Sequence, residues 1–394
     1  MIGFDEALDR LASVARPAGQ ERVPLAEAHG RVLAAPVIAR LDAPSSDTSA
    51  MDGYAVREAD FAVPARLRVI GESFAGHGFD GAVSAGECVR IFTGAPMPPG
   101  ADRVIMQEVV RRDGDLALFD HALGGGRHVR PKASDFRRGD ELLPAGRRLD
   151  PRAMVAAAGA DVAEVEVHAR PTVIVLGTGD ELAEPGQATA RPGTIPESVS
   201  FGVAGMAREF GAEVVDRMRL PDEPEVLESA AAAALDRADL VVVTGGASVG
   251  EKDYARSMFA ASGLELVFSK VAIKPGKPVW LGRAQGRLVL GLPGNPTSAM
   301  VTARLFLAPL LAGLAGEPPA AALRWRPAPL ARELPPCGER ETFHRAVWTA
   351  AGVEPVSNQD SSAQKALAAA DVLIRRRAGA PAVPGGDMVE TLAF

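Results

Sequence analysis

The stretch VVVTGGASVGEKDY, residues 241–254, decides the reading of this chain. Val241, Val242 and Val243 run without polar alternation, which suits a strand covered on both faces of a parallel α/β sheet. Gly245 and Gly246 break the run and permit positive φ. Successive N–H groups can then converge on an anion at the strand's carboxyl end, before a helix begins near Tyr254. A Gly-Gly turn alone is also a plain strand-to-helix connection, so repetition matters. LVLGLPGNPTSAM, residues 288–300, sets a strand before Pro293 and Gly294, with Asn295 and Pro296 placed as N-cap and first residue of a helix. TVIVLGTGDEL, residues 172–182, breaks at Gly177 and Gly179 and carries Asp180 and Glu181. Three strand ends share one pattern, which favours the anion role.

Outward from this stretch, strand-like runs at 172–176, 213–218, 240–244, 264–273 and 288–292 alternate with helix-like runs at 198–210, 225–235, 254–261 and 296–315. That alternation predicts a doubly wound sheet with right-handed crossovers. Phe4, Leu8 and Leu11 share one face of a short amphipathic helix at 4–15. Residues 23–40 read as an Ala-rich helical unit with an extended exit, 154–159 as a helix and 162–168 as a strand. From 41 to 140 short strands and turns predominate, which predicts an inserted all-β domain. The expected fold class is therefore multidomain α/β plus β. Length allows two to four domains, and the turn-rich remainder from 318 to 394 again reads as strands, which predicts a small C-terminal β domain.

A net charge of −7 argues against nucleic-acid binding, which needs a concentrated basic surface. The run from Arg375 to Arg377 reads as a solvated strand end. Cys88 and Cys337 lie in no CxxC or Cys-His pattern, so neither a disulfide scaffold nor a thiolate metal site is expected. MIGFDEALDR is acidic and amphipathic, unlike a signal peptide, and the apolar run at 305–314 is short and holds Pro309. A cytoplasmic protein with no membrane segment is the expectation.

Asp180, Glu181, Asp222 and Asp253 fall at loop positions around the carboxyl edge of the predicted sheet. Carboxylates so placed suit Mg²⁺, which takes hard oxygen ligands and bridges to phosphates. SKVAIKPGKP, residues 269–278, offers Lys270, Lys274 and Lys277. In an extended strand Lys270 and Lys274 share a face, and the Pro-Gly turn lets Lys277 join them as an oxyanion site. The alternative is a solvated lysine face. Carboxylates and lysines on one edge point to a phosphoanhydride, a metal and a second anion. In the insert, Asp52 stands beside Gly53 at a turn, Thr93 lies in a turn-rich loop, and Asp135 lies in a basic-acidic loop.

With these residues in hand, the chain resembles the MoeA-type molybdopterin molybdenumtransferases, the family that includes the gephyrin E domain. The resemblance rests on SAMDGYAV (49–56), TGAPMPPGAD (93–102), GTGDEL (177–182), TGGASVGEKDY (244–254), KVAIKPGKP (270–278) and GLPGNPTSA (291–299). It implies a dimer of four-domain chains that inserts molybdate into adenylylated molybdopterin and releases AMP, with Mg²⁺ required. It also implies catalytic roles for Asp52, Thr93, Asp135, Glu181, Asp222, Asp253, Lys270 and Lys274, with metal held among Glu181, Asp222 and Asp253. Gly245, Gly246, Ser248, Gly250, Lys277, Pro293, Gly294, Asn295, Pro296 and Ser362 or its neighbour Ser361 are the expected substrate contacts. Sites shared between the subunits of a homodimer are expected, with a molybdopterin adenylyltransferase and apo-molybdoenzymes as partners. Glu197-Ser198-Val199 stands where the family has an Asp-Ser-Asn-like stretch, and Ala247 replaces a common Val. Two rival readings are a molybdopterin adenylyltransferase and a non-catalytic binding scaffold. The β insert speaks against the first, and the Glu181, Asp253 and Lys274 set against the second.

Overall fold

The structure is a computed structural model, and it describes residues 1–122, 124–245 and 254–394. Its centre is a doubly wound sheet in the spatial order Glu213–Leu220, Thr172–Thr178, Leu240–Thr244, Arg287–Leu292, Trp280–Ala284, Glu265–Ser269. The first four strands are parallel, Trp280–Ala284 runs antiparallel to Arg287–Leu292, and Glu265–Ser269 runs antiparallel to Trp280–Ala284. Leu240–Thr244 is buried along its whole length because both faces are covered. Leu240 and Val242 pack toward Phe4, Leu11, Val203 and Phe306, from the helices Phe4–Val14 and Val199–Glu209 and the helical run that begins at Pro296. Val241 and Val243 face Leu227, Ala231 and Leu235 of Pro224–Arg237, together with Phe259. Period-two alternation thus feeds two cores from one apolar run.

The run Pro296–Leu314 is 19 residues long with mean hydropathy 1.5, and its apolar window is 94% buried. Length and composition would suit a membrane span, but here it is the core helix of the α/β layer. A π-helical turn, Ala303–Leu307, interrupts its middle.

The insert carries a six-stranded sheet in the order Arg103–Met106, Gly53–Val56, Glu87–Ile91, Ala65–Ser73, Leu116–Phe119, Val110–Asp113. Its two faces hold separate cores around Phe119 and around Ile91. Near the C-terminus, Glu341–Thr349, Val372–Arg376, Met388–Ala393 and Arg326–Pro329 form a third sheet, which also recruits Ile273–Lys274.

Four expectations need correction. Residues 23–40 are not helical: Gln20–Pro24 pairs antiparallel with Glu164–His168, and only Leu25–Glu27 forms a single 3-10 turn. Gly30 at φ +75°, Pro24 and Pro36 stop the helix that the alanines favour. The run 264–273 is likewise not one strand. Glu265–Ser269 ends at Lys270, whose φ is +60°, and Ile273–Lys274 joins the C-terminal sheet, so Lys270 and Lys274 share no strand face. The helix at 254–261 shortens to Tyr254–Ser257. Arg375 and Arg376 are buried, not solvated: Arg375 pairs with Glu341 and Asp5, and Arg376 donates to the Pro381 carbonyl.

Candidate active site

Three strand ends meet at the carboxyl edge of the central sheet. Gly245 follows Leu240–Thr244 with φ +93°, and a Cβ there would stand 2.3 Å from the Thr178 carbonyl oxygen. A Cβ on Gly294, after Arg287–Leu292, would stand 3.3 Å from the Gly245 Cα. Backbones approach this closely only where side chains are missing, so the glycines weld the three turns into one surface. The cavity above them, about 650 Å³, is bordered by Thr178, Glu181, Gly245, Pro293, Asn295 and Ser362 among others.

Glu181 is exposed to this cavity. A Cβ on Gly179 would come within 2.6 Å of its carboxylate, so glycine leaves room for the side chain to fold over the turn. The ribbon that carries Glu181 pairs Leu182–Ala183 with Ile195–Pro196 and is fastened from the sheet edge, where Arg219 Nη1 donates to the Leu182 carbonyl at 3.0 Å. Asp222 lies beside it, its N–H donating to Asp180 Oδ1 at 3.0 Å. Glu181 and Asp222 are thus on neighbouring turns. Gly246, Ser248, Gly250 and Asp253 lie outside the described residues. Among the described residues no group of three or more His, Cys, Asp or Glu side chains is placed to hold a metal. The hard carboxylate oxygens of Glu181 and Asp222 fit Mg²⁺ in kind.

Asn295 occupies the N-cap position as expected, but its side chain does not cap the helix. Instead Nδ2 donates to Ser361 Oγ at 3.0 Å, and the Thr297 amide, a free donor in an isolated helix start, donates to the Ser361 carbonyl at 3.0 Å. The C-terminal loop therefore closes part of the helix N-terminus. Ser361 serves that closure, whereas Ser362 borders the cavity and donates to Asp360 Oδ1. Buried Arg345 fixes the loop, with Nη1 donating to Thr297 Oγ1 at 3.2 Å and Nη2 to the Asp360 carbonyl at 3.0 Å. Sequence reasoning missed Arg345. Its signal is phase: Glu341, Phe343 and Arg345 alternate inward along one strand.

The lysines sit apart from Glu181. Lys274 and Lys277 border a second cavity of about 550 Å³ with Arg340, His344 and Cys337, whereas Lys270 borders neither. Pro278, next to Lys277, borders the Glu181 cavity, so the two spaces adjoin along this turn. Gly276 at φ +102° fixes the turn, since a Cβ would meet Thr302 Cγ2 at 2.1 Å.

Asp52 and Thr93 come together in the insert. Asp52 Oδ1 accepts from the Thr93 amide at 2.7 Å and from its hydroxyl at 2.9 Å. These bonds, the amide first, hold the Asp52 carboxyl below the usual carboxylate range. Asp135 is exposed elsewhere on the insert, its N–H donating to the Ala43 carbonyl at 3.0 Å. Within one chain neither cavity includes Asp52, Thr93 or Asp135. Glu197, expected only as a departure from the family, is buried and accepts from the Ser200 amide at 2.8 Å and from Arg217 Nη1 at 3.3 Å.

Three family models match the chain end to end: the MoeA N-terminal region (domain I and II) over residues 2–160, a probable molybdopterin binding domain over 174–313, and the MoeA C-terminal region (domain IV) over 327–394. A molybdopterin molybdenumtransferase of Haemophilus influenzae is 38% identical over 319 residues, covering 80% of this chain and 78% of that one. One from Synechococcus elongatus is 34% identical and covers 92% of each. A molybdopterin biosynthesis MoeA protein from Pyrococcus horikoshii, of known structure, superposes with a TM-score of 0.87 at 26% identity over all of both chains. The chain belongs to the MoeA family of molybdenum cofactor biosynthesis.

Proposed function

We propose that this chain is a molybdopterin molybdenumtransferase, which inserts molybdate into adenylylated molybdopterin and releases AMP. The observation that carries the reading is the convergence of three glycine turns beneath an exposed Glu181, in a chain that matches the family from end to end. The turns at Gly245 and Gly294 and the helix start at Pro296 receive the phosphates, because backbone N–H groups and the helix dipole favour anions there. Lys274 and Lys277 hold molybdate in the adjoining basic space while the two dithiolene sulfurs bond to molybdenum and one oxo group leaves as water with the two thiol protons. Mg²⁺, when bound through Glu181, Asp222 and Asp253, would neutralise the phosphoanhydride charge. Asp52, kept ionised by Thr93, orients the attacking water or accepts its proton. Release of AMP then makes insertion effectively irreversible.

The four-domain division at 1–20 plus 170–317, 21–40 plus 141–169, 41–140 and 318–394 belongs to the same reading. So do a homodimer with shared sites, a cytoplasmic setting, and exchange with a molybdopterin adenylyltransferase and apo-molybdoenzymes. The test is anaerobic incubation of the purified chain with adenylylated molybdopterin, Mg²⁺ and molybdate. AMP release that needs molybdate, together with reconstitution of an apo-molybdoenzyme, is expected. Equal AMP release without molybdate or tungstate would mean simple hydrolysis and reject the transfer.

A further inference from the structure

A crevice of about 610 Å³ opens between the α/β layer and the C-terminal sheet. That volume lies within the range of small-molecule sites, roughly 300–1,000 Å³. The crevice shares no residue with the cavities at Glu181 or at Lys274.

Its wall carries Arg304, from the π-helical turn in the middle of the core helix. Turns of this kind cost helix stability and recur where a side chain must be re-aimed for function. Arg304 is only 7% exposed. Its Nε donates to the Ala393 carbonyl at 2.7 Å and its guanidinium lies 5.2 Å from the centre of the Phe210 ring, but its Nη1 is buried without a hydrogen-bond partner among the described residues. Burial pushes its pKa down to about 10, against the opposing pull of Glu209. A guanidinium with an unmatched Nη1 at a cavity wall is an anion receptor in want of an acceptor.

The rest of the crevice supplies a second charge and a flat surface. Arg324 and Arg326 are both exposed on its border, and Arg326 makes no side-chain hydrogen bond or ion pair with a described residue. Arg148 is committed to Glu317, and Asp371 accepts from the Trp348 backbone N–H at 2.9 Å. Four arginines against Glu209, Glu317 and Asp371 leave the lining one positive charge in excess. Trp348 borders the same space with its side chain largely open to solvent, a surface suited to stacking a planar ring.

We propose that this crevice is a second ligand site, which takes a phosphate monoester bearing a planar ring: Arg304 and Arg326 receive the phosphate, and Trp348 stacks the ring. The site stands independently of the transferase reading. Trp280 is fully buried and Trp325 half-buried, so exposed Trp348 gives the fluorescence signal. Titrating the full-length chain with AMP should change its emission saturably, and Trp348→Phe should abolish the change. Arg304→Met and, separately, Arg326→Ala should raise the apparent Kd about tenfold or more, since each removes a charge-assisted donor. AMP release by Arg326→Ala should match that of the unsubstituted chain. Should Arg304→Met fold poorly, Arg326→Ala carries the test alone. The site is overturned by the absence of a Trp348-dependent change up to roughly 10 mM AMP, a ligand concentration that reaches even millimolar affinities. It is overturned equally by an unchanged Kd in Arg326→Ala, or by inorganic phosphate or adenosine alone binding as tightly as AMP.

Discussion

Glu181 separates function from stability more cleanly than any other described residue of the site. Its side chain is exposed over the Gly179 turn, carried by the backbone ribbon, and has no side-chain partner among the described residues. Glu181→Gln keeps size and hydrogen-bonding capacity but removes the charge that would meet Mg²⁺. Turnover should fall about 100-fold or more, as expected when a group that stabilises developing charge is lost. The melting temperature should stay within about 1 °C, since an exposed carboxylate with no partner among the described residues adds little to stability. Steady-state AMP release and a thermal melt on the same preparation check both halves. Near-normal turnover would remove Glu181 from the site. Asp52 is a different kind of residue, because two bonds from Thr93 define its geometry before any ligand arrives.

At the scale of elements, the C-terminal sheet carries a pH liability. Burial, with Arg376, Lys274 and Arg345 nearby, pushes the His344 pKa from its ordinary 6.5 down to about 4. A folded pKa below the unfolded one means that the unfolded chain binds the proton more readily. The contribution is therefore complete above pH 6.5 and is lost as pH falls toward 4. The loss is at most about 3 kcal/mol, since each tenfold difference in proton affinity between the folded and unfolded chain is worth about 1.4 kcal/mol. His344→Phe should flatten this part of the profile: between about pH 7 and about pH 4.5, a window that brackets most of the transition, the urea midpoint of the unsubstituted chain should drop further than the variant's. Equal drops would place the acid sensitivity elsewhere.

The elements also divide by how readable they were. Leu240–Thr244 was plain because a strand covered on both faces has no polar alternation to blur it. Residues 23–40 were misread because alanine content argued for a helix, whereas Gly30 at positive φ and pairing with Glu164–His168 decided otherwise. Trp280–Ala284 escaped notice because Gly282 interrupts it. A Cβ there would stand 2.7 Å from Leu264 Cδ1 and 2.9 Å from the Glu265 carbonyl, a tertiary demand that no local pattern announces. The carboxylate edge was legible from three repeated turns. The partition of the lysines into a second cavity was not, because it depends on Lys270 leaving its strand at φ +60° and Ile273–Lys274 joining a distant sheet.

For the molecule as a whole, the decisive fact is a separation. Asp52 and Thr93 are paired in the insert, while Glu181 borders a cavity of the α/β layer to which neither contributes. A single chain thus presents two incomplete constellations. In the proposed homodimer the insert of one subunit would complete the partner's site, which would then hold one Asp52 and one Asp253 from different chains. Asp52→Ala and Asp253→Ala chains should then each be inactive alone. A heterodimer of the two holds one doubly damaged site and one intact site. Equal mixing with subunit exchange should restore roughly a quarter of the unsubstituted activity, because half of the dimers are mixed and each has one of two sites intact. AMP release by that mixture, with native mass measurement showing that heterodimers formed, is the measurement to make. Recovery near a quarter is the expected result, and heterodimers no more active than their parents would contradict a shared site.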